Sequence, residues 1–426
     1  MSLADTRLPD RLVPDRSSRS TTEARALAYE RRAFRRPGSI VVDIVDAARY
    51  QSMRDDWDDL APRASEPNPF MDPDLVAAVA AGESALRAPV LLARRGERLM
   101  GVWALHRVAP RLGLPLTALA APLRDMVPNT TPVIDRDHVE PVLAAMLDAI
   151  VRSRALPKLL SIDMMNDGTV LAALQRVLAA RWCPSAILWR RVRPMLACTQ
   201  EPAAYFARVM SGGRRRKLGQ LRRRLSKRGE LRLSIHRERS AAVEASERFI
   251  KLEASGWKAR SGESELERLR YRDFIRTAVT ALADHGGVEI WEFSLAGVAI
   301  SMALILRHLS GAYDWKIAYD ERQHDCSPGV LLAQDYTTAF LTNPKISFAD
   351  SCAADDAGVL GSLWDGRQPM VHVIADARAG GSLTFALWAG YELALRRGRD
   401  VLWRLVRAAR ARLASLHRPG TTASER

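Results

Sequence analysis

The sequence lacks the features that mark several common classes of protein. Its four cysteines, Cys183, Cys198, Cys326 and Cys352, are widely spaced and form no CxxC pair. Neither a zinc site nor a disulfide framework is therefore indicated, and a reducing cytoplasm is the expected location. No apolar run approaches the roughly 18 residues that a membrane span needs, and residues 1–39 lack the apolar centre of a secretory signal.

Two kinds of catalytic signature are also missing. The chain has no GxSxG motif and no Cys/His pair, which an enzyme needs only if it forms a covalent intermediate. His285 and His308 lie beside predicted turns and strand ends without metal-ligand spacing, so we expect no metal.

Size and charge restrict the possibilities further. With 426 residues, 47% of them hydrophobic, the chain can bury a large core and is long enough for two domains or more. The net charge of +15 is concentrated in residues 1–36, 214–232 and 396–418, while the rest is mildly acidic. A protein that coats itself with nucleic acid would carry positive charge over its folded body, so local anion recognition is favoured.

The basic segment 214–232 predicts a helix from about residue 213 to 227, followed by a strand from Leu231. Leu218, Leu221 and Leu225, at spacings of three and four, would pack on one face of this helix, and arginines would surround that face. The arginines either form a solvated face or bind phosphate, whose geometry the guanidinium group matches. Arg215 and Lys217 are the first candidates for phosphate binding.

The most informative stretch is residues 311–332, GAYDWKIAYDERQHDCSPGVLL, in which a strand leads through a polar loop into a helix. Ser327 can cap free backbone N–H groups, and Pro328 suits the first helical position. With Gly329 beside it, the positive helix end would form a pocket of unpaired N–H groups that suits a phosphate.

Strand-like runs beginning at Val288, Val298 and Ala312 precede this helix and predict an antiparallel meander. Residues 89–108 repeat the strand, turn and strand design of residues 288–308. We therefore expect two similar units in tandem. The first unit lacks an SPG-type helix opening, so only the second should bind a phosphorylated cofactor. The first unit would line the groove in which a second substrate binds.

Three segments stand in the order found in one family of acyltransferases. They are FIKLEASGWKARSG at 249–262, YDWKIAYDE with SPGVLL within 313–332, and DSCAADDAGVLGSLWDGR at 350–367. Over roughly residues 40–376 the chain resembles the BioF2-like or CelD-like acetyltransferases, a branch of the GNAT superfamily related to the FemAB aminoacyl transferases.

The resemblance implies an α/β fold (α+β by strict usage) of two tandem GNAT-like domains, each a mixed, largely antiparallel twisted sheet flanked by helices. The predicted division is a disordered basic tail (1–38), a degenerate first domain (39–199), a cofactor-binding second domain (200–378) and basic amphipathic helices (379–426). The implied activity is acyl transfer from acetyl-CoA or another acyl-CoA, without metal, by direct attack of an amine of a polysaccharide or cell-envelope precursor.

The candidate cofactor-binding residues follow from this resemblance. Backbone N–H groups at the end of the third strand would polarise the thioester carbonyl, and the helix opening would bind the diphosphate. The set is Ile317, Ala318, Tyr319, Ser327, Gly329, Val330, Arg215 and Lys217.

Four residues are candidates for proton transfer. Asp314 is a possible base, but it could instead pair with Lys316 or Arg307, and Asp350 follows a predicted strand. Glu253 shares a helix face with Trp257 and would lie near the acceptor. Many GNAT enzymes have an acidic tyrosine where this chain has Ser351 and Cys352, so Tyr336 on the cofactor helix is the alternative acid. Trp257, Lys258 and Trp315 are candidates for acceptor contact.

Two other functions remain open. The charge of residues 214–232 would suit a FemAB-like transferase that uses aminoacyl-tRNA, although the segment is too short for the helical arm expected of that family. A non-catalytic scaffold of an exopolysaccharide synthesis complex is the second alternative. With the leading function as with the scaffold, residues 379–426 could contact the inner face of the membrane.

Overall fold

In this computed structural model the described residues are 39–81, 84–109, 116–122, 126–255, 265–380, 382–395 and 397–398, with the backbone alone for 265–268. The predicted N-terminal tail and most of the predicted C-terminal basic segment lie outside them.

The first half of the chain alternates short helices with strands. Its elements are β1 (Ile40–Val45), α1 (Ala47–Gln51), α2 (Arg54–Leu60), α3 (Pro73–Val79), β2 (Val90–Arg95), β3 (Arg98–Ala104), β4 (His106–Val108), β5 (Ala118–Ala120), β6 (Val133–Ile134), α4 (Val139–Arg152), β7 (Leu159–Asn166), α5 (Thr169–Ala180) and β8 (Ser185–Ala197). Apolar periodicity predicts helices near residues 138–151 and 168–180 and strands near 158–164 and 185–193. All four are present, and β8 is longer than predicted.

The second half contains the predicted meander and helix. Its elements are α6 (Pro202–Val209), α7 (Gly212–Ser226), β9 (Leu231–His236), α8 (Arg239–Ser255), α9 (Glu265–Ala283), β10 (Val288–Leu295), β11 (Val298–His308), β12 (Gly311–Tyr319), α10 (Pro328–Thr342), β13 (Phe348–Asp350) and β14 (Gly366–Asp376). Residues 383–395 form a further helix.

The strands form two sheets. The smaller has the order β1-β2-β3-β6, and the larger has the order β4-β5-β7-β14-β8-β13-β12-β11-β10-β9. In the larger sheet only the β5–β7 and β12–β13 pairs are parallel, so the predicted mixed, largely antiparallel α/β architecture is confirmed.

The two halves share this larger sheet. The late strand β14 lies between β7 and β8, and β8 pairs in turn with β13. One continuous hydrogen-bonded sheet therefore joins strands from both ends of the chain, and a boundary at residues 199 and 200 stays a prediction.

The predicted repeat appears as two antiparallel hairpins, β2–β3 and β10–β11. The second turns at Ala296 and Gly297, whose φ angles of 49° and 79° are both positive. A two-residue turn of this kind matches the twist of the flanking strands and favours glycine.

Helices cover both faces of the second unit's strands. On one face, Leu331 and Phe340 of α10 pack in a cluster with Ile305. On the other, Phe249 of α8 packs in a cluster with Leu304. Since alternate strand residues point to opposite faces, α10 and α8 lie on opposite sides of the sheet. Within the described ranges, no helix combines the length and apolar character needed to span a bilayer.

Candidate active site

Strands β12 and β13 separate soon after they meet. Residues Gly311–Tyr313 of β12 pair in parallel with Phe348–Asp350, and β13 ends at Asp350. Strand β12 continues to Tyr319, paired on its other side with β11. Among the described residues, no strand covers the second edge of residues 314–319. We call this opening the notch.

A bulge in β12 shapes the notch. Leu304 of β11 lies opposite Lys316 and its neighbour Ile305 lies opposite Asp314, so Trp315 is the extra residue. The bulge reverses the alternation of side chains. Asp314 therefore reaches α10, whereas the Lys316 ammonium lies 5.2 Å from the ring centroid of Tyr271 in α9. An unbroken two-residue period would have placed Asp314 and Lys316 on one face, where they could pair, but the bulge places them on opposite faces.

Asp314 has the environment of a base that could work near neutral pH. It is 6% exposed, and its Oδ2 accepts a 2.8 Å hydrogen bond from the Tyr336 hydroxyl. Its Oδ1 has no hydrogen-bond partner among the described residues. Burial raises the pKa of Asp314 to about 7, the negative charge of Asp350 adds to this, and the bond from Tyr336 opposes it.

Tyr336 is held in place by the core on its other side. Its ring contacts Trp291 and Phe340, with centroids 6.2 and 5.4 Å away. Burial, together with Asp314, raises the pKa of Tyr336 well above its ordinary value. The hydroxyl therefore stays protonated and acts as a fixed donor to Asp314.

Asp350, the last residue of β13, lies beside the notch in a buried ion pair that the sequence analysis missed. Its Oδ2 accepts a 2.5 Å hydrogen bond from Arg193 of β8, and its Oδ1 accepts the N–H of Cys352 at 2.8 Å. Arg193 is fully buried and also donates to the carbonyl of Pro128 at 2.7 Å. Nothing local distinguishes Arg193 from the arginines beside it, because the pairing of β8 with β13 is what brings it to Asp350.

The start of α10 differs from the sequence prediction in its capping. The helix begins at Pro328 as predicted, but Ser327 has φ 50° and ψ 55° and its side chain makes no capping hydrogen bond. A capping side chain requires an extended backbone at that position. The Ser327 carbonyl accepts the N–H groups of Val330 and Leu331, as an N-cap carbonyl ordinarily does. Since Pro328 has no N–H, the predicted pocket of several unpaired N–H groups is reduced to the amide of Gly329.

Gly329 is the residue of this turn that leaves room next to β12. A Cβ atom there would lie 3.6 Å from the Tyr319 ring and 3.9 Å from Ile317 Cδ1, which are ordinary contacts. Its N–H makes no hydrogen bond to any described backbone carbonyl. The first turn of α10 thus places one amide without a backbone partner next to the end of β12.

Basic residues from the end of α7 lie beside this turn. Asp325, just before the helix, is paired with Arg224 at 2.7 Å and with Arg228 at 2.5 Å. Arg224 and Arg228 are not the basic residues that the sequence suggested, which were Arg215 and Lys217. Arg215 and Lys217 are exposed near the opposite end of α7, about 10 to 14 Å away along the helix at 1.5 Å per residue.

The other predicted site residues are dispersed. Glu253 is 9% exposed near the end of α8, on the face of the sheet opposite α10. Trp315 is 5% exposed and donates its indole N–H to the Met126 carbonyl at 3.0 Å. Trp257 and Lys258 lie outside the described residues.

A separate cleft of about 200 Å³ lies at the far end of the meander, between α2 and the start of β10. His285, Asp72 and Asp74 have ligand atoms within 4.8 Å of one another there. Arg54 already bonds both carboxylates, at 2.9 and 3.2 Å. This grouping has no signal in the sequence, because Asp72 and Asp74 are more than 200 residues from His285.

Comparisons with known proteins agree with this geometry. Residues 212–339 match the family model described as Acetyltransferase (GNAT) domain. No curated protein sequence matches the chain.

Two solved structures share the overall fold. The crystal structure of FemX covers 76% of this chain and 95% of its own, with a TM-score of 0.52 and 13% identity. A conserved protein of unknown function from Bacteroides thetaiotaomicron covers 76% of this chain and 97% of its own, with a TM-score of 0.51 and 9% identity.

The matched segment contains the notch strand β12 and the start of α10, so the chain has a GNAT-type acetyltransferase domain. Residues 212–339 are therefore similar to a GNAT acetyltransferase domain, and the overall fold is similar to that of FemX, as the sequence resemblance implied.

Proposed function

We propose that the protein is an acyl-CoA dependent N-acyltransferase, in the first instance an acetyltransferase. Its acceptor would be an amine of a polysaccharide or cell-envelope precursor. The observation that carries the proposal is the notch, where β12 leaves β13 beside a buried carboxyl group and leads into the first turn of α10.

The residues around the notch fit an acyl-CoA molecule. The open edge of β12 offers backbone groups for an extended chain, and Ile317, Ala318 and Tyr319 would hold the thioester carbonyl. The Gly329 amide, the positive end of α10 and Arg228 would hold the diphosphate. Val330 and Ser327 would line the same turn.

Acyl-CoA, when bound, would supply the thioester that the acceptor amine attacks directly. The new amide C–N bond would replace the C–S bond, and coenzyme A would leave as a thiolate that takes its proton from solvent. Asp314 Oδ1 is the acceptor for the proton that the ammonium group must lose, because its other oxygen is held by Tyr336. A carboxyl group with a pKa of about 7 is ionised in a large fraction of molecules at neutral pH yet binds a proton well. General-base catalysis of this kind contributes about 10² to 10⁴ in rate.

Calorimetry tests this function. The purified protein should bind acetyl-CoA or a longer acyl-CoA with one site per chain. Absence of binding by every acyl-CoA tried would rule the proposal out.

One observation favours a second function, the FemAB-like transfer of an aminoacyl group from tRNA. Several basic residues in α7 and at its C-cap are exposed and make no ion pair with any described residue: Arg215, Arg216, Lys217, Arg223 and Lys227. Such a surface can bind a phosphate backbone in a salt-dependent way. Binding of tRNA that persists in moderate salt, without binding of acyl-CoA, would favour this function.

We also propose a cytoplasmic location with contact to the inner face of the membrane through residues 379–426. Flotation of the full chain with anionic liposomes, lost when those residues are removed, would support that contact. If the liposomes bind the chain but acyl-CoA is not turned over, the scaffold function is favoured instead.

A further inference from the structure

A row of long side chains runs along β8 towards the notch. Trp189, Arg191 and Arg193 occupy alternate positions, and the pairing of β8 with β14 is unbroken from Trp189 to Met195. The three side chains therefore share one face of the sheet. The row ends at the Arg193–Asp350 ion pair. Trp189 lies about 13 Å from Arg193 at about 3.3 Å per residue.

Polar side chains from two other strands surround the far end of this row. The hydroxyl of Ser161 in β7 lies 2.9 Å from His372 Nε2 in β14, and Asp163 Oδ1 lies 3.7 Å from His372 Nδ1. The imidazole contacts Trp189 edge to face, with centroids 6.3 Å apart. The Arg191 guanidinium lies 4.9 Å from the Trp189 ring centroid.

These groups form a surface rather than a core. His372 and Ser161 are 5% and 6% exposed and form the floor, whereas Trp189 and Arg191 are partly buried. Hydroxyl, carboxylate, imidazole and guanidinium groups beside an indole provide an apolar platform with several hydrogen-bonding partners. A sugar ring has the matching properties, with an apolar C–H face and hydroxyl groups around its edge.

We propose that this surface, Trp189, Arg191, His372, Ser161 and Asp163, binds the saccharide part of the acceptor. The acceptor amine would then extend towards the notch, where β8 approaches β13. The inference rests on the proposed function, because it assumes that the amine meets the thioester beside Asp350. The 3.7 Å separation of His372 and Asp163 exceeds a hydrogen bond, and no covalent step at Ser161 is part of the proposal.

Saccharide binding can be measured separately from acyl transfer. The probes are a glucosamine tetrasaccharide and the amine-free tetrasaccharide cellotetraose, each titrated into the full chain with and without coenzyme A and followed by saturation-transfer NMR. Trp189→Ala should weaken binding of both by at least about tenfold, the scale of losing an aromatic platform and its contacts. His372→Asn should weaken both in the same direction, and acetyl-CoA affinity should stay within about twofold because neither residue touches the notch.

Trp182→Ala is the matched control, because Trp182 is in the same half of the chain and is 84% exposed. Its saccharide affinity should equal that of the unmodified protein. Equal saccharide affinity in Trp189→Ala and Trp182→Ala would overturn the proposal. So would failure of the unmodified protein to bind either tetrasaccharide while it binds acetyl-CoA. If saccharides bind through Trp189 but acetyl-CoA does not bind, the saccharide site stands and the proposed acyltransferase fails.

Discussion

At the scale of single residues, Asp314 determines how the stability and the activity of the protein depend on pH. Its pKa in the folded protein is about 7, against about 3.9 for an unperturbed aspartate. The folded state therefore keeps its proton over a range where the unfolded chain has lost it. The stability that this proton binding provides is complete below pH 4 and is lost as the pH rises to about 7.

The substitution Asp314→Asn removes this dependence. Between pH 4 and 8 the variant should gain about 1 to 4 kcal/mol of unfolding free energy relative to the unmodified protein, since each unit of pKa shift corresponds to about 1.4 kcal/mol. Urea unfolding at several pH values measures this gain. A difference between the two proteins that is independent of pH would contradict the account.

Tyr336 should affect the pKa of Asp314. The phenol stabilises the ionised carboxylate, so Tyr336→Phe should raise the pKa of Asp314 and move the rise of kcat to higher pH. The variant should also lose about 1 kcal/mol of stability with the hydrogen bond. Tyr205→Phe, which removes another buried tyrosine hydroxyl, serves as the control. An unchanged pH–rate profile in Tyr336→Phe would exclude Asp314 as the base.

At the scale of elements, the ion pair of Arg193 and Asp350 joins β8 to β13. Arg193→Met would leave the Asp350 carboxylate buried without its partner, which costs about 3 to 5 kcal/mol. The double variant Arg193→Met/Asp350→Asn should recover part of the loss, with a coupling energy of about 1 to 3 kcal/mol. Denaturant unfolding of the four proteins measures it. Additive losses would mean that the pair does not hold these strands together.

The packing of α7 against the start of α10 gives a prediction about phosphate recognition. Arg228→Gln removes one of the two cations beside Asp325, so coenzyme A affinity should fall about tenfold, the scale of one charge-assisted hydrogen bond. Arg216→Gln makes the same charge change on an exposed position of α7 and should have little effect. Equal losses in both variants would point to the general charge of the helix rather than to the turn.

At the scale of the whole molecule, local patterns predicted most of the elements. The meander, α10 and α7 follow from apolar periodicity and from Gly and Pro signals, which act within a few residues. The repeat of the β2–β3 design in β10–β11 was visible for the same reason. The family resemblance made Asp314, Tyr336 and Asp350 separate candidates, whereas their closeness depends on the pairing of β12 with β13 and on the packing of α10.

Features that depend on distant strands could not be predicted. Insertion of β14 between β7 and β8, and with it the approach of Arg193 to Asp350, requires pairing between residues far apart in the sequence. The bulge at Trp315 depends on its register with β11. The left-handed backbone of Ser327 likewise replaced a side-chain cap that the sequence alone favours.

The most direct test of the account is a crystal structure of the protein soaked with coenzyme A. We predict density for the diphosphate at the Gly329 amide and for the pantetheine chain along residues 314–319 of β12. Well-ordered coenzyme A bound elsewhere, with the notch closed by side chains, would contradict the central claim.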